Sequence, residues 1–182
     1  MLISKIIVVF LALLVSSVIS APVLKERSLD ELELLPRSRR MTGKAGITAA
    51  RMKYRIKPKP NKSLFWSGRV HTKKGVIESE RYAGKFARMK RKEVIHHALR
   101  RANIKIPEDS KHEQKLWRHA SKVFAKNASG HVHAVLGSKL AKKSVYKTIE
   151  KPTLMNNPKV HKLTEHNAET GASTVVKNVP RQ

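Results

Sequence analysis

The segment from residue 116 to residue 152 restricts the fold of this chain more than any other. Apolar and small side chains recur along its first half at the spacing of one helix face: Trp117, Ala120, Ser121, Phe124, Ala125 and Ala128. Gly130 ends this pattern, and apolar residues then alternate over residues 131–136, as they do in a half-buried strand. A helix that leads directly into a strand predicts a domain that mixes both kinds of secondary structure.

Two groups of apolar residues predict helical structure upstream of that segment. Both lie at helical spacing within residues 81–104: Tyr82, Phe86 and Met89 form one group, and Ile95, Leu99 and Ala102 form the other. They belong either to two faces of one helix or to two helices. Pro107 ends this region, and Asp109 or Ser110 can cap the helix that contains Trp117.

The C-terminal part of the sequence predicts a β-hairpin. Residues 159–164 and 173–177 read as strands on either side of an Asn-Ala-Glu-Thr-Gly turn. Near the other end, Ser63 precedes an apolar and aromatic stretch that contains a glycine turn. The folded domain is therefore predicted to cover residues 63–182. Its predicted class is α/β (α+β), with N-terminal helices followed by a small sheet.

The residues before this domain divide into three predicted segments. Residues 1–20 have the order of a secretory signal peptide: a lysine, a short apolar core and small residues. Residues 21–40 are first acidic and apolar, then end in paired arginines, which is typical of a pro-segment with a processing site and also of an exposed basic loop. Residues 41–62 are basic and poor in large apolar groups, which predicts a flexible arm.

The composition limits the functions that this protein can have. Lysine and arginine outnumber aspartate and glutamate by 39 to 13, a net charge of +26, which predicts attraction to polyanions such as nucleic acid or anionic membranes. The chain has no cysteine, which excludes disulfides, thiolate nucleophiles and cysteine-based metal sites. Aromatic residues make up 5% of the chain, too few for a platform that stacks many bases.

Few residues stand out as candidates for chemistry. Glu150 is the only acidic residue between Glu113 and Glu165, and lysines flank it. It is either a surface partner of Lys147 or Lys151, or a carboxylate with a specific task. His131 and His133 share one strand face and could supply half of a metal site. The sequence positions no third ligand, so no metal site is predicted.

Short motifs connect these candidates in a fixed order: Leu64-Phe65-Trp66-Ser67-Gly68-Arg69, Trp117 with Ser121 and Phe124-Ala125, Val132-His133-Ala134-Val135-Leu136, Ser144-Val145-Tyr146, and Glu150-Lys151-Pro152-Thr153-Leu154. Over residues 63–165 this order resembles the ADP-ribosyl cyclase/NAD glycohydrolase family of animal ectoenzymes. The resemblance implies an ADP-ribosyl-cyclase-like fold, NAD as the substrate and no other cofactor.

The resemblance also implies roles for individual residues. Glu150 would be the catalytic carboxylate that stabilises an oxocarbenium-like ribose, and the nearby lysines predict a low pKa and an ionised side chain. Trp66 and Trp117 would sandwich the cationic nicotinamide ring, although two tryptophans in a small domain can equally be core residues. The remaining implied substrate-binding residues would hold the pyrophosphate or line the same side: Arg69, Ser121, Ser144, Val145 and Tyr146.

Two features depart from the family pattern. Animal members depend on disulfides, and this chain has no cysteine. They also carry an acidic residue in a turn at the start of an early helix, where this chain has His96, with Glu93 three residues away. Because that acid influences how much product is cyclised, the resemblance implies NAD hydrolysis more firmly than cyclisation.

The sequence therefore predicts a secreted, extracellular enzyme that cleaves NAD and releases nicotinamide. The alternative is a non-enzymatic basic effector or antimicrobial protein that binds nucleic acid or anionic membrane. The two hypotheses differ in one geometric expectation. An enzyme needs Trp66, Trp117 and Glu150 to converge, whereas a binding module leaves Glu150 solvated among lysines.

Overall fold

The structure is a computed structural model that describes residues 43–72, 75–108 and 111–180. Within these ranges it contains five α-helices and six strands, in this order: α1 Gly43–Arg55, β1 Leu64–Ser67, β2 Arg69–Thr72, β3 Gly75–Glu78, α2 Glu80–Lys90, α3 Ile95–Arg101, α4 Glu113–Asn127, β4 Gly130–Leu136, α5 Lys151–Met155, β5 Val160–Asn167 and β6 Ser173–Asn178. A π-helical turn, Tyr146–Glu150, leads directly into α5. The predicted signal peptide and pro-segment lie outside the described residues.

The strands form a four-stranded mixed sheet and a separate two-stranded ribbon. The sheet has the order β1-β4-β5-β6, and the ribbon pairs β2 with β3. β4 is parallel to both β1 and β5, and β5 and β6 are antiparallel. Parallel neighbours require crossover connections, which here contain helices. The predicted mixed α+β class and the C-terminal hairpin are confirmed, but β1 precedes α2, so the helices do not all come first.

Each face of the sheet packs against helices. On one face, Val132, Ala134 and Phe65 join the larger core, in which the rings of Phe65 and Phe124 lie 5.1 Å apart. On the other face, Leu64 and Val135 pack against the alanines of α2. Because successive side chains of β4 point to opposite faces of the sheet, β4 contributes apolar residues to both cores. The predicted strand over residues 131–136 and the apolar stripe of α4 are confirmed.

The N-terminal part of the predicted flexible arm is helical and docked, so that prediction is wrong for residues 43–56. Ala45, Ala49, Met52 and Ile56 form one stripe at helical spacing, and all four are buried in the larger core. The small alanines let α1 approach α4 closely, so α1 can pack against the core with few large apolar side chains. Asn127 reinforces the contact, because its Nδ2 donates to the carbonyl oxygen of Ile56 at 2.7 Å.

This docking predicts that two isoleucines contribute differently to the free energy of unfolding. Ile56 is 0% exposed and Ile47 is 58% exposed. We expect Ile56→Val to lower the free energy of unfolding by about 1 kcal/mol, because it removes a buried methylene, and Ile47→Val to leave it nearly unchanged. Denaturant unfolding of both variants measures this. Equal, negligible effects would mean that the helix is not docked in solution.

Two smaller predictions about helices are also corrected. Met89 was placed on a buried face but is 72% exposed, because α2 buries Ala83 and Ala87 instead. Of the two arrangements left open for residues 81–104, the structure has the one with two helices, α2 and α3. The helix after Pro107 begins at Glu113, and its N-cap position is His112. The predicted caps, Asp109 and Ser110, lie outside the described residues. No helix in the described ranges is both long and apolar enough to cross a membrane.

Candidate active site

A cleft of about 480 Å³ opens where β1 ends. Its volume lies within the range of small-molecule sites, and the carboxyl ends of parallel strands are where open α/β sheets bind ligands. The lining comes from β1 and the glycine after it, the end of β3, the helices α2, α3 and α4, and the π-helical turn with the two residues before it: Leu64, Phe65, Trp66, Ser67, Gly68, Glu78, Glu80, Ile95, His96, Trp117, Ser121, Ser144, Val145, Tyr146 and Glu150.

The cleft brings together nearly all the residues that the sequence singled out. The predicted site residues that line it are Trp66, Trp117, Ser121, Ser144, Val145, Tyr146 and Glu150. These residues are dispersed over the chain and meet because parallel pairing places β1 beside β4 and the π-helical turn packs against α4. Trp66, Trp117 and Glu150 therefore line the same cleft.

Arg69 is the predicted site residue that does not line the cleft. Its Nε donates to Oε1 of Glu78 at 3.0 Å, and its side chain is 67% exposed. Glu78 itself lines the cleft, so Arg69 lies next to its edge. An exposed ion pair of this kind contributes little stability. The guanidinium can therefore exchange Glu78 for an anionic group of a ligand at low cost.

Glu150 is buried, with 7% of its surface exposed. It ends the π-helical turn, and its carboxylate shares a hydrogen bond with Ser121 of α4. In the described part of the chain, no lysine or arginine lies within ion-pair distance of it; the adjacent Lys151 instead pairs with Glu165 at 2.8 Å. The interpretation of Glu150 as a surface partner of its neighbouring lysines is therefore wrong.

Burial also changes the charge expected on Glu150. Loss of solvent raises the pKa of Glu150 from its usual 4.5 to about 7, and the hydrogen bond from Ser121 opposes the shift only partly. The predicted low pKa is therefore wrong, because the lysines that are near in sequence are not near in space. A carboxylic acid with a pKa near neutrality can change protonation state during a reaction.

Tyr146 lines the cleft but its hydroxyl has a structural partner. The hydroxyl donates to Oε1 of Glu165 at 2.7 Å, and the residue is 1% exposed. Burial, followed by the interaction with Glu165, raises the pKa of Tyr146 well above its usual value. The hydrogen bond ties the π-helical turn to β5 and so holds Glu150 in place.

Another part of the cleft lining combines aromatic rings with carboxylates that sequence patterns did not identify. The ring of His96 lies 5.0 Å from that of Trp117, tilted by 56°. Its Nδ1 lies 3.8 Å from Oε1 of Glu80. Glu93, the other acid considered near His96, instead pairs with Arg101 and does not line the cleft.

Glu78 and Glu80 reach the cleft because of one backbone contact. The N–H of the buried Ser79 between them donates to the carbonyl oxygen of Gly68 at 3.0 Å. This bond holds the start of α2 against the loop after β1. Two glutamates separated by one residue are noticeable in so basic a sequence. Only the contact between Ser79 and Gly68, however, places both of them at the cleft.

Two glycines let that loop lie against the loop after β4. Gly68 has φ +89°, and a Cβ there would lie 2.9 Å from the carbonyl oxygen of Lys139. A Cβ on Gly137 would overlap the carbonyl oxygen of Arg69. The N–H of Gly137 also donates to the carbonyl oxygen of Ser67 at 2.9 Å. These close contacts fix the edge of the cleft next to Trp66.

The candidate half metal site lies outside the cleft. His131 and His133 are on one face of β4, and His166 of β5 joins them. In the described ranges, no group of three or more histidine, aspartate or glutamate side chains has the arrangement needed to hold a metal ion.

No known protein family matches this chain, and no curated protein is significantly similar to it. The resemblance to the ADP-ribosyl cyclase/NAD glycohydrolase family therefore depends on the motif residues alone. What the geometry adds is independent of that resemblance: two tryptophans, a serine and a buried carboxylate line one cleft of suitable size.

Proposed function

We propose that this protein is a secreted enzyme that cleaves the bond between nicotinamide and ribose in NAD. The products would be nicotinamide and ADP-ribose, with cyclic ADP-ribose as a second candidate product. One observation supports the proposal above all others: Trp66, Trp117 and the buried Glu150 line a single cleft. Secretion is proposed from the pattern of residues 1–20 alone.

The proposed reaction separates a neutral leaving group from a cationic sugar. The C1′–N bond breaks, and its electron pair goes to the nicotinamide nitrogen, which loses its positive charge. Ionised Glu150 would stabilise the oxocarbenium-like C1′ that remains, as carboxylates do in glycoside hydrolysis. Water then adds to C1′ and releases a proton. Ser121 would keep Glu150 ionised through its hydrogen bond to the carboxylate.

The aromatic residues would bind and orient the nicotinamide ring. Before cleavage the ring is a cation, and indole faces attract cations most strongly in a site from which water is excluded. Trp117 and Trp66 both line the cleft with Glu150. The carboxylates of Glu78 and Glu80 add further attraction for the cationic end of NAD, while Arg69 is next to the edge where the pyrophosphate would leave the cleft.

Because the proposed role of Glu150 requires an ionised carboxylate, activity should depend on pH. The pKa of Glu150 is about 7 without substrate, so kcat/KM should fall about tenfold per pH unit below 7 and level off above 8. Because NAD binding is expected to depend little on the charge of Glu150, the midpoint for kcat should be close to that for kcat/KM. Initial rates from pH 5 to 9 measure both. A profile that rises towards acid pH would instead make Glu150 a proton donor.

The direct test of the proposal is to incubate the purified protein with NAD and to quantify nicotinamide, ADP-ribose and cyclic ADP-ribose by chromatography. Release of nicotinamide that depends on time and enzyme concentration supports the proposal. The alternative function is a polyanion-binding protein, which the net charge of +26 favours. Absence of nicotinamide release, together with salt-sensitive binding to nucleic acid or anionic vesicles, would replace the enzyme with that alternative.

A further inference from the structure

Three histidines lie side by side on one face of the sheet, outside the cleft. The ring centroids of His131 and His133 on β4 are 4.0 Å apart. Nδ1 of His133 and Nε2 of His166 on β5 are 2.9 Å apart, a hydrogen-bond distance. Nε2 of His131 is 2.8 Å from Oγ1 of Thr164. We call His131, His133 and His166 the histidine cluster.

Each ring of the histidine cluster keeps one nitrogen for another partner. In the described part of the chain, the contacts above use one nitrogen of each ring, and the second nitrogen has no hydrogen bond to protein. None of these second nitrogens is among the fully buried polar atoms without a partner. They are therefore open to solvent, and the cluster is half-buried rather than part of the core.

The charged groups around the histidine cluster are cations. Lys162 lies opposite His131 in the register of β5 with β4. The ammonium of Lys92, which follows α2, donates to the carbonyl oxygen of Asn61 at 2.7 Å, and the side chain of Asn61 in turn accepts from the N–H of His131. Burial first, and then nearby charges that include both lysines, lower the pKa values of His131 and His133. His161 also lowers the pKa of His131. Burial, followed by the nearby charges of Lys62 and Lys90, lowers the pKa of Lys92.

Nearby carboxylates have other partners. Glu165 alternates with the cluster residues on β5, and its carboxylate accepts hydrogen bonds from Tyr146 and Lys151. Glu93, close to Lys92 in sequence, pairs with Arg101. On the α2 side the cluster meets an apolar ring, that of Phe86, 4.7 Å from His166 and 5.5 Å from His133.

This combination favours an anion over a metal ion. A divalent cation would add its charge to those of two lysines, and among the described residues no carboxylate contacts the cluster to compensate. An anion would relieve the repulsion between the lysines and would accept hydrogen bonds from both ammonium groups and from imidazole N–H groups.

We infer that the histidine cluster, with Lys92 and Lys162, binds a phosphate group at a site separate from the cleft. The phosphate could belong to a free nucleotide, to a lipid headgroup or to inorganic phosphate, since all present the same oxygens. The inference does not depend on NAD cleavage.

Inorganic phosphate is the first probe, titrated into the full chain at constant ionic strength while the imidazole C2–H signals are followed by NMR. We expect saturable shifts of the three cluster histidines. Lys162→Gln should weaken the phosphate affinity about tenfold, as expected for loss of one charge-assisted hydrogen bond. Lys122→Gln, at an exposed position of α4, changes net charge equally and should not alter the affinity.

Adenosine monophosphate and vesicles of phosphatidic acid then distinguish the sources, with phosphatidylcholine vesicles as the control. Preference for one of them over inorganic phosphate identifies the natural donor of the phosphate group. Glu150→Gln should bind phosphate like wild type, so that failure of the proposed enzyme activity and failure of this site are separable. If Lys162→Gln and Lys122→Gln weaken the phosphate affinity equally, the effect comes from net charge alone and the proposed site is wrong. Absence of saturable shifts, or tighter binding of Zn²⁺ than of phosphate by the cluster, would also overturn it.

Discussion

Replacing Glu150 with glutamine should lower the rate of NAD cleavage by about 10²–10³-fold while leaving NAD binding nearly unchanged. The neutral amide has the same shape and can still share a hydrogen bond with Ser121, but it cannot neutralise a developing charge at C1′. The effect should therefore appear in kcat rather than in KM. Initial rates of nicotinamide release and an equilibrium measurement of NAD affinity test the two halves of this expectation.

The matched control is Glu108→Gln, which makes the same chemical change at an exposed position outside the cleft. It should retain the wild-type rate. Trp117→Ala should behave differently from Glu150→Gln and weaken NAD binding, because it removes a ring that lines the cleft. If Glu150→Gln cleaves NAD as fast as wild type, the cleft does not use this carboxylate and the proposed chemistry fails.

The parts of the fold that were predictable are those in which the pattern repeats within one element. The stripe from Trp117 to Ala128 and the alternation over residues 131–136 each cover several turns or residues, so local spacing was sufficient. The stripe of α1 was equally regular but was built on Ala45 and Ala49. Alanine carries little hydrophobic signal in a sequence, although it allows the closest packing between helices.

The environment of Glu150 was not predictable from its neighbours in sequence. Lys147 and Lys151 suggested a solvated carboxylate with a low pKa. In the structure the π-helical turn directs Glu150 inward, and Lys151 reaches across to Glu165 on β5. The motif order identified the residue, but only tertiary structure determines its burial, and burial is what determines its pKa.

Contacts between distant segments explain why sequence patterns did not identify Glu78, Glu80 and His166. Glu78 and Glu80 reach the cleft through the bond between Ser79 and Gly68, which no periodic pattern encodes. The third histidine of the cluster, His166, is placed beside His133 by the register of β4 with β5. Pairing between two parallel strands depends on the crossover between them, so it could not be derived from either strand alone.

The same Glu150→Gln substitution should make the protein more stable above pH 7. Burial raises the pKa of Glu150 in the folded state from 4.5 to about 7. Between these values the folded protein holds a proton that the unfolded chain has already released. The free energy of unfolding of wild type therefore falls as pH rises through this interval, by about 1.4 kcal/mol per unit and about 3 kcal/mol in total.

Glutamine does not titrate, so the variant escapes this loss. We expect wild type and Glu150→Gln to have similar stability at pH 4.5, and the variant to be more stable by about 3 kcal/mol at pH 8. Denaturant unfolding at both pH values measures the difference, and Glu108→Gln should show none. A variant that is less stable than wild type at pH 8 would mean that the folded protein stabilises the ionised carboxylate. The expected result would instead show that, above pH 7, this chain keeps a buried charge in its cleft at a cost in stability, which is the kind of compromise that the proposed catalytic role of Glu150 would explain.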